Sequence, residues 1–205
     1  MSSTASLYSR IKNIDGEILY KIPGSLLNVD LSNADLSNAI LQSCTLFRAN
    51  LESANLNGAD LTNTNFKNAN LKNANLSRTS ILNTDFTGAN LQGAVLNIKC
   101  LDRAILKQAN LSGTELNNVA LAGMDLESVA FQGSSLIQAN LEGCCLNYAL
   151  LDSANLSRAK LTSVKGTKIS LDNSNLEFAR LEGAILTGAS VNGSNLNRVK
   201  MDKTT

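Results

Sequence analysis

Every fifth residue of this chain, from Leu26 to Met201, is apolar with one exception. Of these 36 positions, 29 are Leu, and Gly166 alone breaks the series. Two residues before each of them lies a second class of side chain, which is mostly small and is Ala at 18 of the 36 positions. No insertion or deletion interrupts the frame, so a unit of five residues organises most of the 205-residue chain.

This period excludes the two commonest regular structures. A step of five residues rotates an α-helix by about 140°, so the leucines would circle the helix instead of forming one stripe. A flat strand fails because odd steps alternate between its faces. Within one unit, however, the small residue and the Leu point the same way along a short extended piece. The two residues that follow point outward and turn a corner, which predicts a coil wound around leucines.

A second period of twenty residues predicts the number of corners per lap. Phe66 and Phe86 are twenty residues apart, as stacked coils would place them. Gly and Asn, which tolerate positive φ, fill 10 and 9 of the 35 corner positions. The corner line that begins at Asn33 holds small residues throughout, whereas the line through Phe178 does not. We infer four sides per lap, with positive φ needed at one corner line and not at another. Nine coils would then form a rod of roughly 43 Å.

The predicted architecture has three segments. They are an N-terminal cap at residues 1–23, a repeat domain at residues 24–201 and a tail at residues 202–205. For the cap, which we expect to cover the first coil, the spacing of isoleucines favours a helix at 5–13 followed by a strand at 17–22. Asp15-Gly16 is also typical of a hairpin turn, which is the alternative.

Two segments strain the pattern, residues 95–105 and residues 163–170. In the first, Lys99 falls in the small inward class, and a buried ammonium is costly. We expect a bulge there in which Ile98 replaces Lys99 inside. In the second, Gly166 takes a Leu position, so we expect a local distortion in which Ile169 covers the gap. A functional loop is the alternative at both.

Composition excludes several classes of function. The chain has 18 Lys+Arg and 17 Asp+Glu, and this balance argues against a direct nucleic-acid binder. It has no His, which excludes catalysis and metal ligation by imidazole. Cys44, Cys100, Cys144 and Cys145 have no zinc-site spacing, so we expect free thiols, no metal and no cofactor. We also expect no enzymatic activity, no membrane segment, no export signal and a cytoplasmic location.

Asp or Asn often precedes the Leu of a unit. Examples are Asp30, Asp35, Asn50, Asn55, Asp60, Asn65, Asn70 and Asn75. Stacked carboxylates suggest calcium in other proteins, but the G-G-x-G-x-D pattern of calcium-binding rolls is missing from this sequence. We therefore expect these side chains to hydrogen-bond in ladders between neighbouring coils.

Units such as Ala54-Asn55-Leu56-Asn57-Gly58 resemble the pentapeptide-repeat family, whose consensus is A-[DN]-L-x-x. The resemblance covers about residues 24–201. It implies an all-β fold, a right-handed quadrilateral parallel β-helix. It does not imply one function, because a widely shared fold hosts many tasks. Similar folds occur in quinolone-resistance proteins that bind gyrase as duplex-DNA mimics, in cyanobacterial regulators and in lumenal proteins.

Outward side chains are the candidates for binding a partner. Lys160, Arg180 and Lys200 share one outward slot in three successive coils, and Arg158 and Arg198 lie across the adjacent corner. Outward apolar residues form two further groups: Phe47, Ile105, Tyr148 and Ile185 on one side, and Val95, Ile98, Ile137 and Phe178 on the next. The candidate partner-binding residues are Arg158, Lys160, Arg180, Arg198, Lys200, Tyr148 and Phe178. A solvated edge without a function is the alternative.

These features predict a non-enzymatic scaffold or regulator that binds a protein, as a monomer or an end-to-end dimer. The alternative is a DNA mimic that inhibits or protects gyrase. Duplex DNA carries one charge per ~1.7 Å, so a full mimic of this length needs on the order of 25 acidic charges. Residues 26–200 contain 14 acids and 14 bases, which disfavours mimicry.

Overall fold

The computed structural model describes residues 8–96 and 98–205, and most of this chain winds into stacked coils. Parallel backbone bridges join residues twenty positions apart, in a series that runs from Asp30 to Lys200. Each five-residue unit contains one two-residue turn, so four units lie between two paired residues. The predicted twenty-residue offset between stacked residues is therefore confirmed.

Short segments form the regular elements. They are β1 (Tyr8–Asn13), β2 (Ile18–Pro23), β3 (Ala39–Ile40), β4 (Asn75–Leu76), β5 (Val95–Leu96) and a 3-10 helix (Ile98–Arg103). Strands β2, β1 and β3 form an antiparallel sheet in that order, and β4 pairs with β5 in parallel. In the described part of the chain, no helix is both long and apolar enough to span a membrane.

Backbone hydrogen bonds between coils hold each unit in register. The Leu31 N–H donates to the Asn50 carbonyl at 2.7 Å, and the Asn50 N–H donates to the Val29 carbonyl at 2.8 Å. The same pair of bonds recurs along the chain with an offset of five residues. Most interior units therefore bond the coil before and the coil after them, which satisfies their backbone polar groups. The ladder is interrupted beside the 3-10 helix, where the N–H groups of Leu106, Glu115 and Asp125 have no backbone acceptor in the described structure.

The leucines of the repeat fill the axis of the coil. Leu56 and Leu156 have no exposed surface. Phe66 and Phe86 stack with ring centroids 5.5 Å apart and planes 3° from parallel. Polar residues in the small inward class bond the backbone instead of facing apolar groups unpaired, as Thr64 shows by donating from Oγ1 to the Leu41 carbonyl at 2.7 Å.

The cap is a β-hairpin, so the predicted helix at 5–13 is wrong for residues 8–13; residues 5–7 lie outside the described range. The strand predicted at 17–22 is present as β2, and the turn includes Gly16 at φ +82°. Strand β1 pairs with β3 of the first coil, and Ile11 is buried beneath the hairpin with 1% of its surface exposed. Strand pairing covers the open backbone edge of that coil, which a helix would leave unbonded.

The bulge predicted at 95–105 is present as the 3-10 helix. Lys99 lies in this helix and is exposed, so its ammonium stays in water. Leu101 and Ala104 resume the inward series, with 0% and 7% exposure. The side chain of Ile98, which we expected to replace Lys99 in the core, lies outside the description.

Residues 163–170 keep the regular backbone, so the distortion predicted there is wrong. The Gly166 N–H donates to the Ile185 carbonyl at 2.7 Å, as a Leu in this position does. Ile169 is 1% exposed. A Cβ at Gly166 would lie 3.0 Å from Leu186 Cδ2 and 3.2 Å from Ile169 Cγ2, so these two side chains fill the gap. The prediction that Ile169 covers Gly166 is confirmed.

Positive φ occurs at every corner line, so the prediction that one line lacks it is wrong. Corner residues from 28 to 93 and from 108 to 203 have φ between 54° and 74°, and these include Arg158 and Phe178 at 60°. The left-handed conformation costs about 1–2 kcal/mol for a residue with a Cβ. Hydrogen bonds between coils offset this cost, since Phe178 N–H donates to the Asn197 carbonyl at 3.0 Å.

The stacked phenylalanines yield a test of the core. Replacing Phe86 by Ala should lower the free energy of unfolding by about 3–5 kcal/mol, because a buried cavity replaces the ring. Leu82→Ala, at a side chain that is 41% exposed, is the control and should cost much less. Urea denaturation followed by circular dichroism measures both. Equal losses for the two variants would contradict the core assignment.

Candidate partner-binding site

The structure stacks Lys160, Arg180 and Lys200 in one column, hereafter the basic column. Parallel bridges join Lys160 to Arg180 and Arg180 to Lys200. This is the placement expected from the twenty-residue period. Like charges at this spacing repel one another, so the column needs neighbouring anions or solvent.

Acidic side chains from the adjacent slot neutralise part of the basic column. Lys160 forms an ion pair with Glu142 of the preceding coil, and Arg180 Nε lies 3.1 Å from Glu182 Oε1. The hydrogen bond from Lys160 lowers the pKa of Glu142. The pKa of Glu182 is lowered by its own backbone N–H and then by Arg180. Within the described chain Lys200 has no ion-pair partner, so it is the free cation of the column.

Arg158, Phe178 and Arg198 form a second feature, hereafter the Arg–Phe–Arg stack. The Cζ atoms of Arg158 and Arg198 lie 5.4 Å and 5.2 Å from the centroid of the Phe178 ring, one in each neighbouring coil. The ring is 37% exposed. Both guanidinium groups lie over the ring, and no carboxylate in the described residues forms an ion pair with either arginine.

Tyr148 does not join these residues. It precedes Arg158 by ten residues, half of the twenty-residue offset, and so lies on the opposite side of the coil. Its ring is 49% exposed and lies 6.0 Å from Lys168 Nζ. The two outward apolar groups predicted from the sequence are also separated by about half of the twenty-residue period. They therefore occupy opposite sides of the coil and not adjacent ones. The structure thus concentrates six of the seven candidates on one edge.

Amide ladders occupy another face, as predicted. Asn50 Nδ2 donates to Asp30 Oδ1 at 3.0 Å, and Asn70 Nδ2 donates to Asn50 Oδ1 at 3.1 Å. The ladder continues through Asn90 and Asn110 at 3.2 Å per bond. Asn suits this column because its side chain both donates and accepts, whereas a carboxylate only accepts.

Sequence reasoning missed one cluster. Ligand atoms of Asp125, Glu127 and Cys145 lie within 4.8 Å of one another. Lys107 Nζ lies 3.3 Å from Asp125 Oδ2 and 2.7 Å from Glu127 Oε2, so an ammonium already balances these carboxylates. The twenty-residue period could have predicted the contact between Lys107 and Glu127, because Lys107 precedes Glu127 by twenty residues.

The cysteine side chains that the structure describes are free thiols with structural surroundings. Cys144 is fully buried, and its Sγ donates to the Leu121 carbonyl at 2.9 Å. Burial raises the pKa of the Cys144 thiol to about 11, and burial also raises the pKa of Cys44. Both thiols are therefore protonated at neutral pH and poor nucleophiles.

The coil at residues 186–205 exposes the end of the core. Val191, Leu196 and Met201 are 40%, 39% and 51% exposed, around a cavity of about 230 Å³. Residues 202–205 continue the backbone ladder, since Thr205 N–H donates to the Ala184 carbonyl at 3.0 Å. The segment separated as a tail in the sequence thus completes one side of this coil.

The sequence profile of Pentapeptide repeats matches the chain in eight copies. These matches cover residues 25–63, 44–81, 59–97, 104–143, 134–165 and 167–203. They leave out 98–103, which form the 3-10 helix, and Gly166. No curated protein matches the chain.

Solved structures of similar proteins include a pentapeptide repeat protein from the thylakoid lumen of Arabidopsis thaliana. It is 30% identical over 44% of this chain and 63% of its own length, with a TM-score of 0.43. This chain therefore aligns with less than two thirds of that protein. HetL, a pentapeptide repeat protein involved in heterocyst differentiation regulation in Nostoc sp. strain PCC 7120, is 29% identical over 83% of this chain and 73% of its own, with a TM-score of 0.35. QnrB1, a plasmid-mediated fluoroquinolone resistance protein, is 19% identical over 87% and 92%, with a TM-score of 0.43.

The buried thiol provides a test of inertness. In the folded protein at mildly alkaline pH, Cys144 should react with a thiol reagent at least about a hundredfold more slowly than in the urea-unfolded chain, because its thiolate is scarce and shielded. Mass spectrometry of digested, labelled protein measures the modified fraction. Rapid labelling of Cys144 in the folded state would show that burial does not protect it.

Proposed function

Because this chain belongs to the pentapeptide repeat family, whose fold is a right-handed β-helix, we propose that it is a non-enzymatic scaffold for an acidic protein partner. The partner binds the edge formed by the basic column and the Arg–Phe–Arg stack. We infer that the repeat region winds as nine four-sided coils, since four five-residue units separate paired residues. The carrying observation is the exposed Phe178 ring between two arginines without acidic partners.

The Arg–Phe–Arg stack has the chemistry of a protein-binding anchor. Packing of Arg158 and Arg198 on the ring leaves the edge N–H groups of both guanidinium ions free to bind carboxylates in pairs. Arginine and large aromatic residues dominate the binding energy of many interfaces. Both guanidinium groups already rest against the Phe178 ring, so less side-chain entropy is lost when they bind a partner.

Neighbouring charge favours an acidic partner. Lys200 lies two residues after Arg198 and carries no ion pair in the described structure, so three cations face solvent at this edge. Glu142 and Glu182 neutralise Lys160 and Arg180. The positive charge without an ion pair is therefore that of the two stacked arginines and Lys200. The attraction is therefore local and should weaken with added salt.

The chemistry of the chain supports a non-enzymatic role. There is no His, and the described buried thiols have raised pKa values. Carboxylates such as Asp85 are committed to the fold, with bonds from Thr87 Oγ1 at 2.6 Å and Lys67 Nζ at 3.1 Å. Free thiols at the three described cysteines are typical of a reducing compartment, which supports our proposal of a cytoplasmic location.

DNA mimicry is disfavoured by the side chains of the amide ladder that begins at Asp30. The column that begins at Asp30 continues as Asn50, Asn70, Asn90 and Asn110, so it presents four amides and one carboxylate, not the row of carboxylates that would imitate phosphates. Amides bond one another along the column, whereas carboxylates at the same spacing would repel. A gyrase supercoiling assay separates the two functions, because inhibition at micromolar protein belongs to the mimic.

Removing the stack should abolish partner binding without unfolding the rod. The variant Arg158→Ser/Phe178→Ser/Arg198→Ser should lose at least about tenfold of partner retention, because anchors of this kind contribute most of the binding energy. Capture on immobilised protein, with a salt gradient and quantitative mass spectrometry, measures retention from a lysate of the source organism.

Arg78→Ser is the matched control, since Arg78 occupies the same corner line at φ 59° without an aromatic neighbour among the described contacts. This variant should retain the partner fully, and both proteins should melt near the wild-type temperature. Equal retention by the triple variant and the control would show that the stack is not the binding site.

We also propose that two copies associate end to end through residues 186–205. In the described structure the N–H groups of Val191, Leu196 and Met201 have no acceptor, and the carbonyls of Ala189, Ser194 and Val199 have no donor. Two antiparallel copies would pair these groups with Asn195 opposite itself and Ser190 opposite Lys200 of the second copy. This register separates the two Lys200 ammonium groups and covers the exposed apolar end.

Asn195→Lys should convert the dimer to a monomer, because the register places two ammonium groups opposite each other. Asn155→Lys changes the same ladder in an interior coil and should leave the dimer intact. Sedimentation equilibrium in the micromolar range gives the mass of each protein. A monomeric wild type, or a dimer that Asn195→Lys leaves unchanged, would contradict the association.

A further inference from the structure

The chain contains two Asn-Gly pairs, Asn57-Gly58 and Asn192-Gly193. Both occupy the same two corner positions after the inward apolar residue of a unit, and both glycines have positive φ, +72° and +68°. Each glycine also stands over an Asn of the preceding coil. The two pairs are thus matched in sequence and in local conformation, and they differ in what the next coil offers them.

The interior pair is held on all sides. Gly58 N–H donates to the Ser77 carbonyl at 3.0 Å, and the Asn57 carbonyl accepts from Asn38 N–H at 2.9 Å. Asn57 Nδ2 also donates to Ser77 Oγ at 2.5 Å. The peptide unit between these residues therefore rotates only if bonds to the coils on both sides break.

The second pair is held from one side. The Asn192 carbonyl accepts from Asn173 N–H at 2.7 Å, but Gly193 N–H has no acceptor in the described structure. Asn192 Nδ2 donates to Ser190 Oγ at 2.9 Å and lies 3.5 Å from Asp172 Oδ2. The side chain is exposed, and the coil has no neighbour on this side in the structure. Local opening therefore breaks fewer hydrogen bonds at Gly193 than at Gly58.

We propose that Asn192 is a site of spontaneous deamidation and that Asn57 is protected from the same reaction. The Gly193 amide nitrogen, after losing its proton, attacks Cγ of Asn192. A bond forms between this nitrogen and Cγ, the Cγ–Nδ2 bond breaks, and Nδ2 leaves as ammonia with the proton supplied by solvent. Glycine has no Cβ to obstruct this approach. Water then opens the succinimide ring at either carbonyl carbon, which leaves aspartate or isoaspartate, and no atom changes its oxidation state.

Hydrogen bonding sets the difference between the two sites. Attack requires the Gly N–H to turn from the coil edge toward the Asn side chain. Turning the planar peptide at Gly193 breaks one backbone bond, from Asn173 N–H to the Asn192 carbonyl. At Gly58 the same movement breaks the corresponding bond from Asn38 N–H and also the bond from Gly58 N–H to the Ser77 carbonyl. One net hydrogen bond corresponds to about fivefold in a rate or equilibrium, and opening of an interior coil adds to it.

The product alters the end of the rod. A carboxylate at position 192 would lie beside Asp172, whose pKa is already lowered by hydrogen bonds, first from Ser190. The hydrogen-bond donors that now serve the Asp172 carboxylate alone would then serve two carboxylates. Isoaspartate also lengthens the backbone at the corner, which disturbs the bond from Asn173 N–H. Deamidation therefore loosens residues 186–205 with time.

Ageing the full-length protein at mildly alkaline pH, diluted well below the concentration at which two copies would associate through residues 186–205, tests the proposal. Peptide mapping by mass spectrometry should show Asn192 converting at least about tenfold faster than Asn57 in the folded protein. In the urea-unfolded chain the two sites should convert at rates within about twofold, because their local sequences then decide. Asn192→Gln confirms the assignment by removing the product from that peptide.

Equal rates at the two sites in the folded protein would overturn the proposal. So would a large difference that persists in urea, because sequence and not structure would then account for it. Neither result bears on the binding of a partner at the Arg–Phe–Arg stack, since that measurement uses fresh protein.

Discussion

Pairing of each residue with the residue twenty positions later is the constraint on which the structure depends. Its backbone hydrogen bonds link the five-residue units of successive coils, except where the 3-10 helix interrupts the ladder. Once this offset is set, every side-chain class falls into columns along the rod. Leucines fill the axis, asparagines hydrogen-bond to asparagines of neighbouring coils, and cations of successive coils lie next to one another. The core and the surface thus share one register.

The corners show how strongly this pairing controls local conformation. Arg, Phe and Tyr have little intrinsic tendency toward positive φ, yet they adopt it here at 54–60° with Asn and Ser. In return, the corner N–H donates a hydrogen bond to a carbonyl of the next coil, as the Phe178 N–H donates to the Asn197 carbonyl. Because long side chains are tolerated at rigid corners, the surface can carry arginines stacked on an aromatic ring. The same geometry that closes the core therefore presents the candidate binding edge.

The two ends of the described chain differ in whether another segment covers the backbone edge and the apolar core of the outermost coil. At one end the β1–β2 hairpin pairs with β3 in antiparallel fashion and buries Ile11. At the other end residues 186–205 leave backbone donors unpaired and apolar side chains exposed. Since each coil contacts only its neighbours, stability in such a rod is close to a sum of nearest-neighbour terms. In the described structure residues 186–205 bond to one neighbouring coil, whereas most interior coils bond to two.

The five-residue spacing by itself determined that the leucines point inward, that corners recur after each of them, and that columns repeat every twenty residues. These features follow from chain geometry, which is local and identical in every unit. The tertiary structure alone decided that the cap is a hairpin, that Lys160 pairs with Glu142, and that Phe178 adopts positive φ between two arginines. It also decided that Gly193 lacks the acceptor that Gly58 has. Each of these depends on a partner from a neighbouring coil or strand, and local preference does not specify which partner is present.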